Sequence, residues 1–330
     1  MSFYRKILKQ AWKITWQNKY LWLFGIFAAM LGNGGEYEIL YRSVGSGGGQ
    51  ETIPIWQRLA ETGLFSKKIF SNVNQIMAED SLSLLLILFV GLAILALLVF
   101  GIWLVIVSQV ALVNNSAGII EGKRTNWQNG FNSGIKKFWP VLGLNIILKA
   151  IIYLILIFLS LPIILSAKTV TLTANFLFII AFIVFIPIIL SLSFILKYAI
   201  AYVVIRNSDF IESIKQGWQL FINNWLVSLE MAFILFFINL LVGLAIILLI
   251  LILAIPFLFL GFIFYYLASL FGFWTIFILA LIILFLVIIL GGAALAVFQI
   301  SSWIGLFTEL IKHGGKSKLV RVMENIYNKT

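Results

Sequence analysis

The stretch "LKQAWKITWQN" (residues 8–18) decides the architecture, because a near-copy, "IKQGWQLFINN" (residues 214–224), begins 206 residues later. The copies share four identical residues, which are Lys9, Gln10, Trp12 and Asn18 in the first and Lys215, Gln216, Trp218 and Asn224 in the second. Both copies run directly into an apolar segment. We call them lead-in segments. A basic, Trp-bearing segment that twice precedes an apolar one predicts a duplicated structural unit.

The composition excludes a soluble protein. Hydrophobic residues make up 62% of the chain and charged residues 11%, and the mean hydropathy is +1.10. A water-soluble domain carries about 25% charged residues because its surface is hydrated. Apolar runs of more than about 20 residues, without regular alternation, are typical of transmembrane helices rather than of a barrel. The sequence therefore predicts an all-α integral membrane protein.

Charge and reactive residues exclude several functions. The net charge is +11, but Lys and Arg lie in short segments beside apolar runs, where they orient spans and contact anionic lipids. We therefore expect membrane lipids, and no nucleic acid, as partners. The chain has no Cys, its only His is His313, and its spans hold no pair of carboxylates. We expect no enzyme activity, no catalytic residues, no metal and no cofactor.

We predict a single polytopic domain of six transmembrane helices, arranged as three hairpins, each preceded by a cytoplasmic amphipathic helix. Each crossing needs about 20 residues. The predicted spans are residues 20–32, 82–113, 139–165, 174–205, 225–254 and 274–306. The segments on the cytoplasmic side are an interfacial helix at 1–19, a loop at 114–138, a helix at 206–224 and a tail at 307–330. The external side receives residues 33–80, with an amphipathic helix at 52–78, and an interfacial piece at 256–272 that begins where Pro256 should break the helix.

The first span is short, and a re-entrant hairpin or the apolar part of a signal peptide are alternatives. The distribution of Lys and Arg residues favours a first span that crosses the membrane. With six crossings, the cytoplasmic segments hold sixteen Lys and Arg residues and the external ones hold five. That asymmetry follows the positive-inside rule, so we expect both termini in the cytoplasm.

The lead-in segments are predicted to lie in the headgroup plane. In the first, Tyr4, Leu8, Ala11 and Trp12 share one helical face with Thr15 and Trp16, and its four cations lie on another. A weaker third copy, "NGFNSGIKKFW" (residues 129–139), precedes the third span. The sequence thus indicates one lead-in and hairpin unit built three times in parallel. The residues expected to contact lipid are Lys9, Trp12, Lys13, Lys215 and Trp218.

Two segments carry a family resemblance. "AWKITWQNKYLWLFG" (residues 11–25) and "VVIRNSDFIESIKQGWQLFINNW" (residues 203–225) are similar to the membrane domain of some bacterial glycerophosphodiester phosphodiesterases and to related uncharacterised polytopic proteins. The shared pattern here is Asp209, Gly217, Trp218 and Asn224. The family's catalytic domain is missing, so the resemblance implies a membrane module in the bacterial plasma membrane and not the phosphodiesterase reaction.

Three ionisable residues fall well inside predicted spans, namely Lys149, Lys197 and Glu230. A charge at mid-bilayer costs about 2.5–3.5 kcal/mol on insertion scales, which makes each a candidate for binding an anion or a lipid headgroup. The alternative is that each lysine extends separately to the interface and Glu230 caps a helix.

Two functions follow. The first is a non-enzymatic scaffold or accessory module that contacts inner-leaflet anionic lipids and a partner such as another membrane protein. The alternative is a transporter or flippase for an anionic, lipid-like substrate.

Overall fold

The computed structural model describes residues 3–30, 81–166, 172–267 and 269–314. These residues form helices, with no strand among them. In chain order the helices are α1 (Phe3–Gln17), α2 (Leu21–Ala29), α3 (Ser81–Ile120), α4 (Trp127–Lys136), α5 (Phe138–Ser166), α6 (Leu172–Ile205), α7 (Phe210–Asn223), α8 (Trp225–Tyr266) and α9 (Leu270–His313). The predicted external helix at 52–78 and the tail beyond residue 314 lie outside the described residues.

Five helices are long and apolar enough to cross a membrane, namely α3, α5, α6, α8 and α9. This confirms the prediction of an all-α membrane protein. The predicted first span, residues 20–32, does not form such a long helix, because α2 has only nine residues. At ~1.5 Å per residue that helix covers ~14 Å, well short of a hydrocarbon core of ~30 Å. The count of six spans therefore stays a prediction.

The predicted break at Pro256 is wrong. Helix α8 continues through Pro256 to Tyr266, so residues 256–272 do not form a separate interfacial piece. Pro256 is exposed, and its ring therefore removes one backbone hydrogen bond without displacing a neighbouring helix. A proline in an apolar helix is tolerated where the adjoining turns remain bonded. Helix α8 therefore has 42 residues and extends more than ~60 Å. Helix α9, with 44 residues, is similarly long.

The chain separates into two compact units, one formed by Met1–Glu36 with Val105–Thr330 and the other by Tyr37–Leu104. In the second unit the structure describes the first 24 residues of α3, whose side chains are mainly apolar and exposed.

The core of the first unit lies around the last turns of α3, α6 and α9. Phe194 and Tyr198 of α6 contact Trp303 of α9, with ring centroids 5.4 and 6.4 Å apart. Ser116 of α3 and Ser301 of α9 are buried and hydrogen-bonded at 3.0 Å. Helix α2 covers this core along its whole length, whereas α5 and α8 cover it mainly with their first turns, where most of their described buried residues lie.

Polar side chains join these covering helices to the core. Asn145 of α5 donates to Gln109 of α3 at 3.0 Å, and Asn239 of α8 accepts from Gln299 of α9 at 2.6 Å. Ser228 of α8 bonds to Tyr198 of α6 at 2.7 Å. A hydrogen bond between membrane helices stabilises by about 0.6 kcal/mol on average.

The short helices α1, α4 and α7, which we call the lead-in helices, run back along the last turns of the long ones. Ile7 of α1 packs against Gly305 of α9, and Trp12 of α1 contacts Phe298 of α9. The contacts move forward along α1 and backward along α9, so the two helices are antiparallel. Helix α4 approaches α3 closely at Gly134, where an added β-carbon would lie 2.7 Å from the Val107 carbonyl oxygen. Helix α7 approaches α6 in the same way at Gly217, near Ile195 and Ala199.

The lead-in helices also bury corresponding residues. Each buries two residues four positions apart, which are Ile7 and Ala11 in α1, Gly130 and Gly134 in α4, and Ser213 and Gly217 in α7. The pair in α4 lies 123 residues after the pair in α1, and the pair in α7 lies 83 residues after the pair in α4. The pairs in α1 and α7 are therefore separated by the same 206 residues as the two copies of the sequence repeat. The ends of two lead-ins match as well, since Asn18 and Asn224 each donate to the carbonyl four residues back at 3.1 Å.

The predicted lipid-facing side of the first lead-in needs correction. The buried stripe of α1 is Tyr4, Ile7, Ala11, Ile14 and Thr15, and it packs in the protein core. Trp12 and Trp16 lie at its exposed edge. The sequence shows that α1 has an apolar face, but it does not show what that face packs against. Gly305 of α9 leaves room for the Ile7 side chain, so a protein helix takes the place expected for lipid.

Candidate functional site

The carboxyl ends of the three core helices converge. Glu121 directly follows α3, Arg206 follows α6 and Lys312 lies in the last turn of α9, and both cations act electrostatically on the Glu121 carboxylate. Each helix end carries a partial negative charge of about half a unit, which favours cations nearby. We call this region, with the lead-in helices around it, the basic end.

A helix-ending turn sets the geometry after α3. The Lys123 N–H donates to the Gly118 carbonyl at 2.9 Å and the Gly122 N–H donates to Ile119 at 3.0 Å, which is the hydrogen-bond pattern of a Schellman motif. Gly122 has φ +78°, a conformation that favours glycine. Asn126 then caps α4 by accepting from the Asn129 N–H at 2.8 Å. These two caps fold α4 back along α3.

The fold-back encloses a basin of about 620 Å³ between α3, α4 and the end of α6. Its cations are Lys123 and Arg124 from the turn and Lys136 and Lys137 from the end of α4. Ala117, Val204 and Ile205 add apolar surface to the lining. The neutral polar side chains of the lining are Asn114, Thr125, Asn129, Asn132, Ser133 and Asn207. Glu121 is the one acidic residue among the lining residues. The basin is open, polar and strongly cationic.

Glu121 is held by its neighbours. The Lys123 ammonium lies 2.7 Å from a Glu121 carboxylate oxygen, and both side chains are partly exposed. This hydrogen bond is the main cause that lowers the pKa of Glu121, and the positive charges of Lys123, Lys312 and Arg206 act in the same direction. Glu121 therefore stays ionised and offsets about one of the four basin cations.

The five residues predicted to contact lipid are all exposed on the lead-in helices. Trp12 and Trp218, which match in the sequence repeat, are 58% and 50% exposed. Lys9 and Lys13 flank Trp12 on α1, and Lys215 lies one turn before Trp218 on α7. The positions leave an aromatic and basic edge open on two lead-in helices.

The three charges predicted inside the spans lie on α5, α6 and α8. Lys149 is exposed on α5 and contacts neither of the others among the described residues. The Lys197 ammonium lies over the Trp303 ring, 4.4 Å from its centroid, which is a cation–π contact. Glu230 accepts a hydrogen bond from the Tyr4 hydroxyl and so ties α8 to α1. None of the three lines the basin.

The sequence places these cations in the predicted cytoplasmic loop, with Lys136 and Lys137 in the third lead-in copy, but it does not indicate that they meet. The pairs at 123–124 and 136–137 lie within one short segment, and that density was the available signal. Their convergence depends on the turn at Gly122, which reverses the chain. Within the described parts of the chain, no group of His, Asp and Glu side chains is arranged to hold a metal ion.

No protein-family model matches this sequence, and no curated protein or solved structure was found to be similar to it.

Proposed function

We propose that this chain is a non-enzymatic scaffold or accessory module of the bacterial plasma membrane whose basic end contacts anionic lipids of the inner leaflet. The observation that carries the proposal is the shared exposed edge of α1 and α7. Trp12 and Trp218 stand open at corresponding positions beside lysines, while the opposite faces of both helices pack against protein. Tryptophan favours the membrane interface, and each nearby lysine contributes about 1 kcal/mol of attraction to an anionic surface.

The charge distribution supports an orientation with the basic end in the cytoplasm. Apart from Lys149 and Lys197, every Lys and Arg among the described residues lies on a lead-in helix, in a connection beside one, or in the last turn of α9. Cytoplasmic segments of membrane proteins are enriched in these residues. The described N-terminal helix and the end of α9 both belong to this end, as expected when both termini are cytoplasmic.

The packing of the lead-in helices supports three repeated units, namely α1–α3, α4–α6 and α7–α9. Helix α4 packs on α3 and α7 packs on α6, so each lead-in packs on the last helix of the preceding unit. Helix α1 packs on α9, which closes the arrangement into a ring. The matching buried pairs extend the sequence repeat to the weaker third copy. Parallel repeats around an axis along the membrane normal have this form.

The surroundings of the intramembrane charges favour the module over a carrier. A carrier for an anionic substrate needs its charges on one cavity wall, whereas Lys149 is exposed on α5 and Lys197 lies over Trp303. The resemblance to the membrane domain of glycerophosphodiester phosphodiesterases stays a prediction. Contact with another membrane protein belongs to the same proposal.

Site-specific labelling tests the lipid contact, because the chain has no native cysteine. Trp12→Cys and Trp218→Cys would each carry an environment-sensitive fluorophore in nanodiscs of anionic or zwitterionic lipid. We expect an apolar emission shift that is larger in anionic lipid and is reduced when Lys9, Lys13 and Lys215 are changed to Gln. Trp274→Cys, which lies near the start of α9, is the control and should respond equally to both lipids. Water-like emission at 12 and 218 in both lipids would refute the proposal.

A further inference from the structure

We infer that the basin between α3, α4 and α6 is a binding site for a polyvalent phosphate-bearing anion. The phosphate comes either from the headgroup of an anionic lipid or from a free phosphate ion. For the lipid source, the inference deepens the proposed lipid contact and rests on it. None of the basin residues belongs to the exposed Trp and Lys edge of α1 and α7.

Charge balance sets the valence of the ligand. Four cations line the basin, and Glu121 offsets one of them through its ion pair with Lys123. The helix ends supply further partial negative charge, but Arg206 and Lys312 also lie within electrostatic range of Glu121. A monovalent phosphodiester would leave much of the positive charge uncompensated. A phosphomonoester or a ligand with two phosphates balances it.

The cations come in adjacent pairs from two separate elements. Lys123 and Arg124 belong to the turn after α3, and Lys136 and Lys137 to the end of α4. Like charges brought together repel each other, and the chain folds them toward one basin rather than apart. An anion between the two pairs relieves the repulsion and forms charge-assisted hydrogen bonds.

The size and polarity of the basin fit a headgroup-sized ligand. A volume of about 620 Å³ lies within the range of about 300–1,000 Å³ that is typical of small-ligand sites. Side-chain amides of Asn129, Asn132 and Asn207 and the hydroxyl of Ser133 line it. These groups donate hydrogen bonds to phosphate oxygens or to the hydroxyls of a headgroup.

The test compares two double variants of the full-length protein that lose the same charge. Lys136→Gln with Lys137→Gln removes one side of the basin. Arg5→Gln with Lys19→Gln, the α1 variant, removes two exposed cations on or just after α1 that lie outside both the basin and the exposed Trp and Lys edge. Isothermal titration in detergent with inorganic pyrophosphate measures the free anion. Native mass spectrometry after release from nanodiscs containing phosphatidic acid, or only phosphatidylcholine, measures retained lipid.

We expect saturable binding of one anion, weakened roughly tenfold or more in the basin variant and unchanged in the α1 variant. Binding of pyrophosphate identifies a free anion as the source, and retention of phosphatidic acid without pyrophosphate binding identifies a headgroup. Glu121→Gln provides a variant that gains affinity, because it releases Lys123 and raises the net charge of the basin. We expect it to bind several-fold more tightly.

Several results would overturn the inference. The first is that neither probe binds saturably. The second is that both double variants bind equally more weakly than the parent. The third is that Glu121→Gln binds no more tightly than the parent. The proposed lipid contact is tested separately by the fluorophores at 12 and 218, so it can fail while the basin binds pyrophosphate. The basin can equally fail while the exposed edge still responds to anionic lipid.

Discussion

Replacing Gly134 by Ala tests the close approach of a lead-in helix to a long helix. An added β-carbon would lie 2.6 Å from the Val107 Cγ1 atom and 2.7 Å from the Val107 carbonyl oxygen. The carbonyl belongs to the backbone of α3 and cannot rotate away as a side chain can. The α4 and α3 helices must therefore separate, and overpacking of this kind costs about 1–3 kcal/mol.

Gly292→Ala is the matched control, because an added β-carbon there meets no atom within 4 Å. Both substitutions gain about 1 kcal/mol of helix propensity, so the difference between them isolates the packing cost. At roughly 2 °C per kcal/mol for a chain of this size, Gly134→Ala should melt about 2–6 °C below Gly292→Ala.

The assay is thermal unfolding of both variants in the same detergent, followed by the loss of monodisperse protein. We expect Gly292→Ala to melt at or above the parent and Gly134→Ala to melt below Gly292→Ala by the stated margin. Equal melting temperatures would show that α4 does not lie against Val107, and the packing argument would fail.

Three further predictions use the same assay. Asn18→Ala and Asn224→Ala should each lose about 0.5–1.5 kcal/mol, and similar amounts, because both remove a 3.1 Å bond that ends a lead-in helix; clearly unequal losses would contradict their correspondence. Tyr4→Phe should lose about 1.5–3 kcal/mol, because it removes the hydrogen bond to the carboxylate of α8, and an unchanged Tm would show that this bond does not hold α1. The lowered pKa of Glu121 means that its small contribution is present above the ordinary pKa of Glu and is lost as pH falls through the lowered value. Lys123→Gln should therefore reduce the Tm difference between neutral and acidic pH, and an undiminished difference would count against the ion pair.

The sequence predicted the five long apolar helices, because hydropathy and the cost of unpaired backbone in lipid leave few alternatives. The bounds of α5 and α6 fall within two residues of the predicted spans 139–165 and 174–205. The prediction failed at Pro256, where a rule from soluble helices was applied to an apolar hairpin. In that setting one missing hydrogen bond does not end the helix.

The candidate site was harder to predict, because it depends on contacts between distant parts of the chain. The repeat of residues 8–18 and 214–224 was visible, and the buried pairs at the same spacing agree with it. The sequence does not show what each buried lead-in face packs against. The apolar face of α1 is therefore predicted to contact lipid, whereas in the structure it packs against α9. The basin was missed because its cations converge only after the chain reverses at Gly122.

The central claim is that the lead-in helices pack on the last turns of long helices in a closed ring, with α1 on α9. Disulfide trapping measures this directly, since the chain has no cysteine of its own. A β-carbon at Gly305 would lie 3.9 Å from the Ile7 β-carbon, and one at Gly130 would lie 3.3 Å from the Ala111 β-carbon. These separations are close to the ~3.8 Å that a disulfide needs.

We expect Ile7→Cys with Gly305→Cys, and Ala111→Cys with Gly130→Cys, to cross-link under mild oxidation in the membrane. The pair Ile7→Cys with Gly292→Cys should not, because Gly292 lies more than three turns before Gly305 on α9. If Ile7 cross-links to position 292 as readily as to 305, or to neither, α1 does not close the ring and the account is contradicted.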